Sequence, residues 1–244
     1  MKEIILTIVL GLLLTIAGLF IEKCYFEENS CPIESMNTST PEPSTKVTKK
    51  TTHGFKINYL YRSAGQGKPL SFAKKSTLKT GDTYKIIFQP PAKKHVYIFQ
   101  IDSTNKIFQL FPTTDFENAD KKNKNPVKKG KKYFVPAKKW SFELDPTTGK
   151  ETIYTIVTNK PDKQLEQQYA TMLAQQETQT PKQRKVTRNK WHKAMKKRGF
   201  KRKLIPDNSA SIKWQEQGQK LSTTLFNVQK MCDGCVNVVG FEHR

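Results

Sequence analysis

Acidic residues are scarce in this chain: 21 Asp and Glu stand against 43 Lys and Arg, leaving a formal net charge of +22 over 244 residues. So positive a chain repels itself and attracts polyanions, whether acidic lipid, cell-wall polymer or nucleic acid. Apolar residues are sparse as well, at 36%, but aromatics at 10% supply material for a core and exclude disorder throughout. The length leaves room for one large domain or two small ones. Signatures of catalysis are missing: there is no GxSxG elbow, no Walker A loop and no HExxH helix. "GQGKPL" (65–70) starts like a dinucleotide loop but lacks the third glycine and the helix. The four histidines, His53, His95, His192 and His243, stand in unlike contexts. No catalytic residue, cofactor or metal is expected.

Long apolar runs are missing too, with one exception. Residues 4–21, "IILTIVLGLLLTIAGLFI", are 18 positions without a charge or a polar face. As a helix they would span roughly 27 Å, enough to cross a bilayer core. Lys2 precedes the run, whereas Glu22, Lys23, Glu27, Glu28 and Glu34 follow it, which keeps Lys2 inside and sends the remainder across. Three forms are open: an uncleaved anchor, a signal peptide cut near Ala17, or a lipoprotein through Cys24, although "IEK" lacks the small residues a lipobox needs. All three place residues beyond about Glu22 outside the cytoplasm. Residues 1–23 are thus expected to form an anchor or signal segment and 24–54 a linker outside the cytoplasm. "NTSTPEPSTKVTKKTTHG" (37–54) has the composition of a stalk, and Asn37 opens a weak glycosylation sequon. Residues 1–36 hold two Lys against five Glu, so the rest of the chain carries three positive charges more than the whole.

Cysteine is nearly absent. The four present are Cys24, Cys31, Cys232 and Cys235, an even number that in an exported chain favours disulfides. Three pairings are possible, and Cys24–Cys31 with Cys232–Cys235 is the simplest. The second pair would close a tight turn through Asp233-Gly234, where glycine tolerates unusual backbone angles. Zinc is the rival, but one CxxC supplies two of four ligands, and His243 lies eight residues on without a matching spacing. Val236 stands where covalent haem requires histidine. "VNVVGF" after the pair reads as a strand, not the helix that a thioredoxin-type site opens.

From Phe55 the texture is short apolar runs between turn signals. "FKINYLYR" (55–62), "TYKIIF" (83–88), "HVYIFQID" (95–102), "KIFQLF" (106–111), "KKYFV" (131–135), "WSFEL" (140–144) and "ETIYTIV" (151–157) read as strands. Turns at "TGD", "STN" and "DPTTGK" separate several of them. Leu165, Tyr169, Met172 and Leu173 then fall on one helical face, with Pro161 and Asp162 at its start. Thr180-Pro181 reads as the N-cap and first residue of a second helix, carrying Trp191, Ala194 and Met195 on one side and stopping at Gly199. "LSTTLFNVQ" (221–229) and "VNVVGFEH" (236–243) return to strand. The predicted fold is mainly β: a β-sandwich over 55–244 with a strongly basic helical insertion, about 160–203, before the last two strands.

The stretch from Leu78 to Val157 carries "LKTGDTYKIIFQP", "VYIFQIDSTNKIFQLFP", "NPVKKGKKYFVP" and "ELDPTTGKETIYTI" in that order. In these motifs it resembles the bacterial domain of unknown function 4384, over about a third of the chain. The resemblance implies a β-rich bacterial domain, often part of exported or signalling-associated proteins, and implies no reaction. The same residues also suit structural work. Gly81 and Gly149 fit turns, Asp82 and Asp145 can bind nearby amides, Pro112 and Pro136 can end strands, and Trp140 and Phe142 are expected in the core.

The sharpest local feature is "KQRKVTRNKWHKAMKKRGFKRK" (182–203), with twelve cations and no acid. Lys182, Arg184, Lys185, Arg188, Lys190, Lys193, Lys196, Lys197, Arg198, Lys201, Arg202 and Lys203 could displace counterions from a polyanion, with Trp191 or Phe200 packing or stacking. A solvated charged arm is the plainer alternative. The sequence supports first a non-catalytic, membrane-tethered envelope protein, its β-domain an interaction or scaffold module and its basic helix on anionic lipid or envelope polymer. A protein partner is expected as well. An exported enzyme acting on an anionic polymer is the second reading, which a cleft with converging carboxylates would favour; turn-like use of Asp82, Asp102 and Asp145 would favour the first. Nucleic-acid binding requires the N-terminal segment to be something other than an export signal.

Overall fold

The structure, a computed structural model, describes residues 54–72, 76–112 and 117–244. The apolar N-terminal segment, the linker up to His53, Cys24 and Cys31 lie outside the described residues. Residues 51–244 group as one compact unit. Its elements run β1 (Lys56–Arg62), β2 (Leu70–Ser71), β3 (Thr77–Leu78), β4 (Thr83–Gln89), β5 (His95–Ile101), β6 (Ile107–Phe111), β7 (Tyr133–Val135), β8 (Phe142–Glu143) and β9 (Gly149–Thr158). Helices α1 (Lys163–Gln176) and α2 (Pro181–Lys197) follow, then β10 (Leu204–Pro206), β11 (Ile212–Glu216), β12 (Gln219–Thr223), β13 (Phe226–Val228) and β14 (Val236–His243). Among the described residues no helix is long and apolar enough to cross a membrane.

Two sheets share one apolar core. The first has the order β10-β13-β1-β4-β7, with β2 and β8 attached to β1 and β4; the second has the order β3-β14-β9-β5-β6. Alternation along each strand decides which side chain meets which layer. Ile57 and Tyr59 of β1, Tyr84, Ile86 and Phe88 of β4, Val96 and Ile98 of β5, and Ile153 and Val157 of β9 fill the space between the sheets. The intervening residues face outward and are buried as well. Tyr97, Phe99 and Ile101 of β5 and Tyr154 and Ile156 of β9 meet α1 and α2 through Leu165, Trp191 and Met195. On the opposite side Leu60 of β1 and Ile87 of β4 meet Ile212, Trp214 and Leu221 of the β11–β12 hairpin. Burial on both faces is why these strands read as nearly continuous apolar runs in the sequence.

A buried ionic clamp fixes the hairpin to the first sheet. Glu216 at the end of β11 lies 2.6 Å from Lys85 Nζ and 3.3 Å from Arg62 Nη1. It also accepts from Ser141 Oγ at 2.7 Å and Trp214 Nε1 at 3.3 Å. Burial pulls Lys85 down to about 8 even though Glu216 opposes the shift. Burial is the largest influence on Glu216 and raises its pKa, but the charge and hydrogen bond of Lys85 together with the hydrogen bonds from Ser141 and Trp214 outweigh it, so that its carboxyl stays below its ordinary value. Lys85 completes its shell with the carbonyl of Ala137 at 2.7 Å.

The helices begin and end where local chemistry requires. Asp162 caps α1 by accepting from the Leu165 amide, and Thr180 forms a capping box with Gln183 ahead of Pro181. Gly199, with φ of +88°, ends α2 in the left-handed region. Two expectations need correction. Five strands, not two, follow the helices: β10 is only three residues, and β11 and β12 carry few apolar residues, so their signal is weak. Trp140 is 43% exposed rather than in the core, because β8 covers only Phe142–Glu143 and leaves it in the preceding loop; Phe142 does pack against the core.

Candidate functional site

Residues 182–197 of the basic stretch lie on α2, one face of which is fixed, and Lys201, Arg202 and Lys203 follow its end. Trp191 and Met195 are buried, and Trp191 meets Phe99 edge-on with ring centroids 5.2 Å apart. This corrects the expectation for Trp191: at 3% exposure its ring belongs to the core and cannot stack on a ligand. Arg198 is also engaged, with Nη1 2.6 Å from Asp162 Oδ2. Arg184 donates to the carbonyls of Thr104 at 3.2 Å and Gln179 at 2.6 Å. Arg188 and Lys201 are half-buried. The remaining eight, Lys182, Lys185, Lys190, Lys193, Lys196, Lys197, Arg202 and Lys203, are exposed. None of these eight pairs with an acid among the described residues.

The CxxC turn lies at the seam where α2 leaves the second sheet. Cys232 and Cys235 form a disulfide with Cα atoms 5.1 Å apart, and Gly234 within it has φ of +72°. The Gly234 amide donates to the Val157 carbonyl at 2.8 Å, and Asp233 accepts from the Asn159 amide at 2.7 Å. The turn therefore clips the end of β9 to the start of β14. Bonded to each other, the two sulfurs are not thiolate ligands, and His243 lies beside Glu151. Among the described residues no group of three His, Cys, Asp or Glu could hold a metal ion.

A second feature was not assembled by the sequence reading. A cleft of about 200 Å³ opens at one end of the shared core, lined by Tyr84, Gln100, Asp102, Asp145 and Glu151 among others. The Tyr84 hydroxyl donates to Gln100, and the Gln100 amide donates to Glu151. Glu151 Oε1 faces His243 Nδ1 at 3.4 Å, and His243 Nε2 lies 3.3 Å from Thr80 Oγ1. This polar chain joins β4 to β5, β9 and β14, and so crosses from one sheet to the other. Burial raises the Glu151 pKa to about 7, with the charges of Asp102 and Asp145 adding to the effect. Asp102 is itself raised, chiefly by burial. Tyr84 lies well above its ordinary value through burial and the Glu151 charge.

The other carboxylates are committed to turns. Asp82 accepts from the amides of Ala64 and Lys79, Asp102 from Lys106, and Asp145 from Thr147. Each of Tyr84, Gln100 and Glu151 stood within a sequence motif, but their convergence depends on strand neighbours tens of residues apart. The family described as "Domain of unknown function (DUF4384)" matches residues 77–161, the span from β3 through β9. The lining residues Tyr84, Gln100, Asp102, Asp145 and Glu151 fall within the match, whereas His243, α2 and the CxxC turn lie beyond it. No curated protein and no solved structure matches the chain.

Proposed function

We propose that the protein is a non-catalytic, membrane-tethered component of the cell envelope. Its β-rich domain acts as an interaction or scaffold module and presents α2 to an anionic surface of lipid headgroups or envelope polymer. The observation that carries this reading is the contrast between the two faces of α2. The inner face is fixed by Trp191, Met195 and the Arg198–Asp162 pair, while the exposed cations of the outer face pair with no acid among the described residues. A solvated arm has no need of a capping box, a buried tryptophan or a glycine stop. Lysines carried on a folded helix lose little backbone freedom when they meet a polyanion, which favours binding.

The reading is tested with the full-length protein held in phosphatidylcholine nanodiscs and titrated with phosphatidylglycerol vesicles at low salt. K185A/K193A/K197A should weaken binding several-fold while leaving the melting temperature in place. Added salt should weaken the wild type steeply. Unchanged binding by the triple variant would reject α2 as the contact surface.

An exported enzyme acting on an anionic polymer is the second reading. Glu151 favours it, being a buried carboxyl of raised pKa in a cleft with Asp102 and Asp145 nearby. Against it stands the turn chemistry that occupies both aspartates.

A further inference from the structure

His192 stands on α2 where cations from several parts of the chain converge. Its Nδ1 lies 2.8 Å from the Tyr154 hydroxyl of β9. Its ring meets Phe200 edge-on with centroids 5.4 Å apart, and Phe200 carries the Arg202 guanidinium 4.8 Å above its own ring. Arg188 and Lys196 sit one helical turn before and after His192, on the same face of α2. Lys150 is supplied by β9. The charges acting on His192 are those of Arg188, Arg202, Lys196 and Lys150, and all four are positive. Glu242 stands opposite Lys150 in the β9–β14 register, but it forms no ion pair with it and is not among the groups acting on His192. Burial, and then these cations, hold the His192 pKa below its ordinary value.

We propose that Lys150, Arg188, His192, Lys196 and Arg202 form a binding site for a phosphate group at the seam of α2 and β9, and that its occupation places a proton on His192. The inference rests on the reading of α2 as an anion-binding surface and gives that surface a chemistry. A phosphate group supplies both things the cluster lacks, negative charge and several acceptor oxygens. Once that charge is present, the repulsion that keeps the imidazole neutral is removed. The hydrogen bond to Tyr154 can then run from Nδ1–H to the phenol oxygen, which leaves Nε2–H for the ligand. Tyr154 remains a phenol throughout, since burial raises its pKa to about 12. By linkage, a ligand whose binding raises the His192 pKa binds more tightly as the pH falls.

The test uses the full-length protein in phosphatidylcholine nanodiscs with two probes. These are phosphatidylglycerol vesicles and soluble long-chain polyphosphate, both of which keep their phosphodiester or internal phosphate charge between pH 7.5 and 5.5. Wild-type affinity for at least one probe should rise about fivefold over this range, most of the limit reached when occupation raises the imidazole pKa by about one. H192Q should lose the rise and bind equally at the two pH values. K150A, which leaves the helix untouched, should weaken binding several-fold. Preference for the vesicle assigns the phosphate to lipid headgroups; preference for polyphosphate assigns it to a polymer. Equal wild-type binding at both pH values overturns the site while leaving α2 as an anion-binding surface. A rise that persists in H192Q, or unchanged binding by K150A, overturns it as well. Binding of neither probe at either pH overturns both readings.

Discussion

Arg198 Nη1 lies 2.6 Å from Asp162 Oδ2, so the residue that closes α2 holds the residue that opens α1. Asp162 works in two directions, because its Oδ1 also accepts from the Leu165 amide at 3.0 Å. D162A removes cap and ion pair together and should lower stability by about 1–2 kcal/mol, whereas R198A removes only a partly exposed pair and should lower it by less than about 1 kcal/mol. Burial pushes the Asp162 carboxyl up, but the Arg198 hydrogen bond and the Leu165 amide outweigh it and hold the pKa below its ordinary value. The carboxylate's contribution is therefore complete above about pH 4 and fades as the pH falls further. Thermal denaturation from pH 7 to pH 3 measures it, and identical curves for D162A and the wild type would dismiss the cap.

The Lys85–Glu216–Arg62 clamp makes an opposite kind of demand, because its charges are fully buried. E216Q leaves two cations without a counter-charge and should lower stability by about 3–5 kcal/mol. The triple variant R62M/K85M/E216L removes all three charges and should lose less than E216Q alone, since an apolar trio needs no counter-charge. Denaturant titration of the three proteins orders them. A triple variant weaker than E216Q would mean that the clamp contributes more than mutual neutralisation.

Glu151 gives the fold a pH dependence of the reverse sign to Asp162. Its folded pKa, about 7, lies above the ordinary glutamate value, so the folded protein binds a proton more readily than the unfolded chain. Stability from this group is complete below the unfolded pKa, near 4.3, and is lost as the pH rises through 7, by up to about 4 kcal/mol. The wild-type denaturation midpoint should fall between pH 5 and pH 8, and E151Q should flatten that slope. A wild-type midpoint that stays constant would place the carboxyl in an ordinary environment.

The Cys232–Cys235 bridge closes a very short loop, so its reduction should lower stability by no more than about 2 kcal/mol. In the unreduced protein both sulfurs should resist alkylation. After mild reduction Cys232, which is exposed, should label ahead of Cys235, which is buried. Equal labelling rates would indicate that the turn opens as a unit.

What could be read in advance was what short stretches determine by themselves. Thr180-Pro181 and Gly199 marked the ends of α2 because caps and stops are local devices, and the CxxC turn needed only Asp233-Gly234 between its sulfurs. The strands with nearly continuous apolar runs, such as β4 and β5, were equally plain. The β11–β12 hairpin was missed because its inward positions are Ile212, Trp214 and the charged Glu216, whose partners lie more than a hundred residues earlier. Trp191 was misassigned for a related reason: a tryptophan among lysines can face solvent or core, and only Phe99 on a distant strand decides which. The cleft was hidden because Tyr84, Gln100, Glu151 and His243 become neighbours only through the order of the strands.

That order also governs when the domain can form during synthesis. β14 sits between β3 and β9, and the chain reaches it only after passing through both helices and back through the first sheet. A nascent polypeptide halted before Val236 would display β9 with one bare edge of amides and carbonyls, open to pairing with any strand that came near. The ribosome must add β14 itself before that edge can be sealed.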